Sequence, residues 1–348
     1  MQTTRLQRRR FHQLVVVGAA VVAAPLLVAQ IKPEKAKITV AAGGKASFYH
    51  LPLTIADQLG YFKAEGIDLE ISEFEGGTRT LQAVMGGAAD VVSGAYEHTI
   101  QLQSKSQFFQ SFVLQGRAPG IAMGVSTKTV PHFKSIADLR GKKIAVSAPG
   151  SSNNMLANLV LYRAGMKSED VNFVVVGTPA AAVAAVRLRQ VDAICDVDPT
   201  MTMLEQKGDI RLIVDTRTLK GTLEVFGGMM PAACLYAPQE FLQKNPGTAQ
   251  AMANAVVHAL KWLQTAGAGD IIKAVPESYL LGDRGLYLAS FNKVREAFAV
   301  DGLMPDEGSN IALKALASVD SGFASGKINL NRTFTNEYAR KAKDRFKA

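Results

Sequence analysis

The chain has 348 residues, of which 48% are hydrophobic and 20% charged, a composition that gives a globular protein a full core in one large domain or two medium ones. Its formal charge is +9, and Arg5, Arg8, Arg9 and Arg10 supply four of those charges with no acid beside them, so residues 30–348 carry +5. That remainder is scattered, without a Lys/Arg run or aromatic interleaving, which argues against a nucleic-acid partner and suits a surface that attracts small anions.

Residues 1–29 read as an export signal. A basic segment ends at Arg10, and an apolar run from Leu14 to Ala29 follows, interrupted by Gly18 and Pro25. That run is short for a membrane span of about 20 residues. Arg8-Arg9-Arg10-Phe11 is similar to the twin-arginine export pattern, although His12 stands where an apolar residue is usual. An ordinary secretory leader and an uncleaved anchor are the alternatives. The chain beyond it holds two cysteines, Cys195 and Cys234, too few for a disulfide framework. Pairing in an oxidising compartment and burial as two free thiols both remain open. No His/Cys/Asp cluster has metal-ligand spacing, and no cofactor motif is present.

Beyond a charged tether, Lys37 to Ala42 is a strand ending at Gly43-Gly44. Leu51, Ile55, Leu59 and Phe62 follow at helical spacing. Residues 67–71 alternate as a strand, and Gly76-Gly77-Thr78 is a turn with Thr78 as a candidate helix N-cap. A helix then runs to Gly86-Gly87, and residues 90–93 form a short strand. This β-α-β-α-β order is the sequence form of a parallel sheet covered by helices. Residues 112–115 and 121–126 are further strands, and the pattern restarts with a strand at 142–147, a helix at 153–164 and a strand at 171–176. An alanine-rich helix at 180–190 and strands at 191–195 and 210–214 complete that unit. Residues 233–236 are a return strand. Beyond it the chain is helical, beginning with Pro246 behind a capping Asn245 and continuing near 286–299, 307–318 and 335–345.

These units predict an α/β protein of two lobes, residues 36–119 with 233–348 forming the first and 120–232 the second, with a cleft between them. In open α/β sheets ligands sit beyond the C-terminal strand ends. The loops there are 43–50, 76–78, 94–97, 147–153, 177–179 and 196–199, rich in Gly, Ser, Thr, Asn, Tyr and Asp. Pro149-Gly150 breaks the chain after one strand, and Ser151-Ser152-Asn153 opens a helix. Serines there cap orphan backbone N–H groups, and the same groups and the helix dipole can seat a small anion.

Several runs resemble one family. They are Ala56 to Glu70 (ADQLGYFKAEGIDLE), Gly76-Gly77-Thr78 with Leu81 to Asp90, Asp138 to Val146, Ala148 to Ser152, and Val191-Asp192-Ala193. In this order they are similar to the periplasmic solute-binding proteins of nitrate, sulfonate, taurine and bicarbonate ABC importers, the NMT1/THI5-like proteins with the type II periplasmic binding fold. The likeness covers about residues 38–240. It implies two lobes, each a mainly parallel sheet flanked by helices, that close on a small anionic solute and deliver it to separate permease and ATPase subunits. It implies a periplasmic monomer with no cofactor and no catalytic residues.

The resemblance also implies which residues meet the solute. Gly150, Ser151, Ser152 and Asn153 would hold acidic oxygens, and Gly77 and Thr78 would do the same from the other lobe. Tyr49 and His50 could stack on or hydrogen-bond the solute, though a lone His is commonly structural. Tyr96 and Glu97 follow the third strand. Arg117 could fork onto a carboxylate or sulfonate, or form an interlobe ion pair. Asp196 could receive an amine or hydroxyl or balance a lysine, and Asp198 lies beside it. Val197 stands where related sequences often carry Trp before Asp-Pro, which weakens a specific reading as alkanesulfonate or taurine binding. The ligand stays open among sulfonates, nitrate-like ions and carboxylates. An enzyme on the same fold, resembling thiamine-pyrimidine synthesis proteins, would need a cysteine-rich iron motif that two isolated cysteines do not supply. A sensory binding protein docking on a receptor kinase is the third reading.

Overall fold

The computed structural model describes residues 32–320, 323 and 328–348, apart from Glu75 and with only the backbone of 76–78. The export signal lies outside them.

The first half of the chain follows the expected alternation. β1 (Lys37–Gly43) leads to α1 (Leu51–Gln58), and Gly60, in the left-handed region at φ 72°, ends that helix and turns the chain into the short α2 (Tyr61–Ala64). β2 (Asp68–Phe74), α3 (Gly76–Met85), β3 (Val91–Ala95), α4 (Glu97–Ser104), β4 (Phe109–Leu114) and β5 (Ile121–Ser126) follow. Because α3 begins at Gly76, Thr78 lies inside its first turn and is not the N-cap. The second half of the alternation is β6 (Lys143–Val146), α5 (Ser152–Arg163), β7 (Asn172–Val175), α6 (Pro179–Arg187), β8 (Ala193–Val197), α7 (Thr200–Gln206), β9 (Ile210–Asp215) and α8 (Leu219–Phe226). β10 (Ala233–Pro238) then precedes α9 (Gln239–Lys244), α10 (Pro246–Thr265), α11 (Ala268–Ala274), α12 (Arg284–Val294), α13 (Gly308–Val319) and α14 (Glu337–Phe346).

Two five-stranded sheets share one plan. The first has the order β2-β1-β3-β10-β4, and the second β7-β6-β8-β5-β9. In each, three parallel strands meet one strand that runs antiparallel to both its neighbours. That strand is the one adjoining a crossing between lobes, β5 after the first and β10 after the second. The crossings run side by side and pair with each other. Gly116 N donates to Ala233 O at 2.9 Å, and Ala232 N to Gly116 O at 2.9 Å.

Strand alternation distributes the cores. Along β5, Ile121, Met123 and Val125 enter the cluster that includes Leu156 and Leu161 of α5. Ala122, pointing the other way, joins Ala182 and Val186 of α6 and Met201 and Leu204 of α7. The second sheet is thus covered on both faces. The first sheet shares one large core with the C-terminal helices, in which α10 is buried along most of its length.

Candidate functional site

The C-terminal strand ends of both sheets face a common cleft of about 700 Å³, counted with its open mouth. Gly43, Ser47, Tyr49 and Ser93 line it from the first sheet's side, and Ser151, Asn153, Asp196 and Thr200 from the second. Five of the six loops named from the sequence supply lining residues. The side chains of Gly77 and Thr78, in the sixth, lie outside the described residues.

The first turn of α5 enters the cleft from the second lobe. Ser151 is its N-cap, and its Oγ accepts from Asn154 N at 3.3 Å and donates to Ala148 O at 2.7 Å. The amides of Ser152 and Asn153, first and second in the helix, have no intrahelical acceptor by position. Ser152 Oγ donates across the cleft to Glu97 Oε1 at 2.6 Å. Gly150, expected beside the solute, sits on the exposed outer turn at φ 73° and is absent from the lining, its N–H donating to Asn154 Oδ1 at 3.1 Å.

Asn153 orients Asp196. Its Nδ2 donates to Asp196 Oδ1 at 3.1 Å, and Val197 N donates to the same oxygen at 2.8 Å. Oδ2 has no protein partner among the described residues. Burial pushes the Asp196 carboxyl up to about 7, while the two donated bonds pull the other way.

His50 is committed on both ring nitrogens. Nε2 lies 3.1 Å from Gly43 O, a pure acceptor, so Nε2 carries the proton. Nδ1 then accepts from Ser93 Oγ at 2.8 Å, and Ser93 Oγ accepts from Gln115 Nε2 at 2.9 Å. Gln115 Oε1 in turn accepts from Leu53 N at 3.2 Å. This chain ties the cleft wall to a crossing. Burial holds the imidazole neutral and pulls it down to about 4, with the Gly43 carbonyl opposing. His50 therefore presents a ring edge to the cleft, and the expected hydrogen bond to a solute has no free nitrogen to use.

Tyr49 forms a partition. It borders the main cleft, a side chamber of about 330 Å³ and a smaller one of about 210 Å³, both counted with the open space at their mouths. Its hydroxyl is buried without a hydrogen-bond partner. Ser152 Oγ lies close to it but is engaged by Glu97.

Three expected contacts fall elsewhere. Tyr96 is fully buried in the first core, its hydroxyl 2.6 Å from Thr333 Oγ1, and does not reach the cleft. Arg117 donates Nε to the Glu296 carbonyl at 2.9 Å, is absent from the cleft lining and forms no ion pair among the described residues. Asp198 lies beneath the cleft, fully buried. Its Oδ1 accepts from Thr202 N at 2.7 Å and its Oδ2 faces Arg217 Nη1 at 3.3 Å. Arg217 is held further by Asp215 at 2.6 Å and Glu205 at 3.1 Å. Glu97 is buried at the junction, where it takes the Ser152 bond. Ser47, Ser93, His98, Ser147 and Thr200 line the cleft without having been singled out in the sequence.

A model of the family described as NMT1/THI5-like matches residues 47–266. The chain belongs to that family. A solved protein of Bordetella bronchiseptica RB50 is 55% identical, with a TM-score of 0.89, covering 91% of this chain and all of that one (100%). The alkanesulfonate-binding protein SsuA of Xanthomonas axonopodis pv. citri, solved bound to MOPS, is 20% identical with a TM-score of 0.66 over 87% of this chain and 99% of its own. YtlA of Bacillus subtilis, named as a binding protein, is 23% identical over 67% of this chain and 68% of its own. The fold is that of the type II periplasmic binding proteins, and this family's relatives are named for binding solutes.

Proposed function

We propose that the chain is the extracytoplasmic solute-binding component of an ABC importer. It captures one small solute between lobes formed by 36–119 with 233–348 and by 120–232, and passes it to a permease driven by separate ATPase subunits. The supporting observation is the cleft itself. The strand ends of two like sheets converge on it, the crossings beside it are a single pair of chain segments, and it is lined by Ser152 and Asn153, whose backbone amides have no acceptor within the helix. Such amides take the acceptor oxygens of a solute. The binding names of relatives favour capture over turnover. Export by the residue 1–29 leader puts the protein where an importer meets its solute, and it acts as a monomer.

The test reconstitutes a candidate permease with its ATPase subunits in lipid nanodiscs and adds the chain. Solute-loaded chain is expected to stimulate ATP hydrolysis, and loss of Ser151 and Ser152 to alanine to abolish the stimulation by that solute. An ATPase rate indifferent to the chain would refute the import role.

A further inference from the structure

We infer that the solute presents an N–H donor, from an amine, amide or amidine, to Asp196 Oδ2, and lodges its apolar part behind Tyr49. This rests on the cleft being the solute site and narrows what the site accepts.

Charge is the first ground. Among the described residues no Lys or Arg lines the cleft, while the Asp196 carboxyl does. Arg217 is engaged beneath the cleft by Asp198, Asp215 and Glu205, and Arg117, with its Nε on a carbonyl, is not a lining residue. The two lining imidazoles are held neutral by burial, His50 and His98 alike. Glu97 lies outside the cleft lining, bordering the smaller chamber with its Oε1 taken by Ser152. Among the described residues, an inorganic anion or simple sulfonate entering here meets the Asp196 carboxyl and no lysine or arginine.

Unsatisfied groups are the second ground. Asp196 is 9% exposed, its Oδ1 is fully used by Asn153 and Val197, and its Oδ2 has no protein partner. A largely buried carboxyl oxygen without a partner is costly, and an N–H from the solute removes that cost. The buried, unpartnered Tyr49 hydroxyl is a second open group on the same cleft.

Shape is the third ground. Behind Tyr49 and Val197 the side chamber is walled by Phe48, Ala118, Pro119 and Phe298. Val197 borders both the cleft and this chamber, and its small side chain keeps them adjoining where a Trp would fill the space. A purely inorganic solute has no use for such a wall.

The experiment measures the melting temperature of the protein with benzylammonium, benzamide, benzoate and benzenesulfonate, one ring carrying four head groups. Benzylammonium and benzamide are expected to raise it by a few degrees at about ten times their dissociation constants, and the two acids to leave it unchanged. Asp196→Asn keeps the Oδ1 acceptor, removes the charge and is expected to abolish the benzylammonium effect. Stabilisation by benzoate or benzenesulfonate but by neither nitrogen compound overturns the inference and leaves the solute-binding reading standing. If none of the four stabilises, a solute retained on the native protein that lacks an N–H group overturns it equally. Retention of no solute at all, with no response to any probe, overturns both readings. The ranking of the four probes on the unaltered protein decides the matter even where the variant fails to fold.

Discussion

Ser152 Oγ and Glu97 Oε1 meet at 2.6 Å across the cleft, joining the first turn of α5 on one lobe to the start of α4 on the other. A second link runs nearby, from Phe48 N to Asp198 O at 3.0 Å. Two protein–protein bonds therefore join the lobes. The solute has to compete with or supplement the Ser152 bond, since that hydroxyl also lines the site.

Ser152→Ala is expected to shift the ligand-free protein toward an open form. A hydrogen bond to a charged partner is worth about 1.5–3 kcal/mol, roughly a tenfold or greater change in the open-to-closed ratio. Small-angle scattering reads this as a larger radius of gyration. Glu97→Gln keeps an acceptor and should stay nearer the parent value. Identical scattering from Ser152→Ala and parent would show that the bond does not hold the lobes.

The Arg217 cluster predicts a stability effect remote from binding. Arg217 is 1% exposed and faces the fully buried Asp198. Arg217→Met leaves that carboxylate without its cation and should cost about 3–5 kcal/mol in urea unfolding. A loss below about 1 kcal/mol would mean that the cluster reorganises around water.

Two cleft groups give opposite pH slopes. Asp196 titrates near 7 in the folded chain against a usual 3.8, so the folded state keeps a proton that the unfolded chain releases. Its contribution is fully present below about 4 and is lost as pH rises toward 7. His50 titrates near 4 against a usual 6.5, so the unfolded chain takes the proton first. Its contribution is present above about 6.5 and is lost as pH falls toward 4. Asp196→Asn should remove the first slope alone. The stability difference between parent and variant then declines from pH 4 to 7, by at most a few kcal/mol, and flattens above. A difference independent of pH would contradict this.

The thiols give an inexpensive check. Cys195 lies in the second lobe's core and Cys234 in the first, both buried and unpaired. Burial raises both thiols, Cys195 with Asp196 adding to the effect. An aromatic disulfide reagent should release almost nothing from the native protein and two equivalents after denaturation. Fast release in native conditions would place a thiol at the surface.

The strands were legible because buried parallel strands are short apolar runs bounded by Gly or polar residues, as at Lys143–Val146 between Gly141 and Ser147, and because the second half repeats the pattern of the first. α4 was missed because its buried face is polar: Glu97, His98, Thr99 and Gln103 are all inside, so no apolar stripe marks it. α7 and α8 are too short for periodicity to separate them from loops. Within the site, the α5 start and Asp196 were legible because capping serines and a carboxylate after a strand have local signatures. The commitment of His50 to Gly43 and Ser93 was not, since Ser93 is 43 residues away. Arg117 and Tyr96 looked like contacts from their loop positions alone. Their partners, the Glu296 carbonyl and Thr333, come from the C-terminal segment, which no short-range pattern ties to the cleft.

The most direct measurement is native mass spectrometry of the protein purified without denaturation from its own cells. A single small molecule should be retained at one per chain and released on unfolding, and it should be absent from a variant carrying Ser151→Ala, Ser152→Ala and Asp196→Ala that keeps the parent circular dichroism. A folded variant that retains the same molecule at the same stoichiometry would place the solute somewhere other than between the lobes.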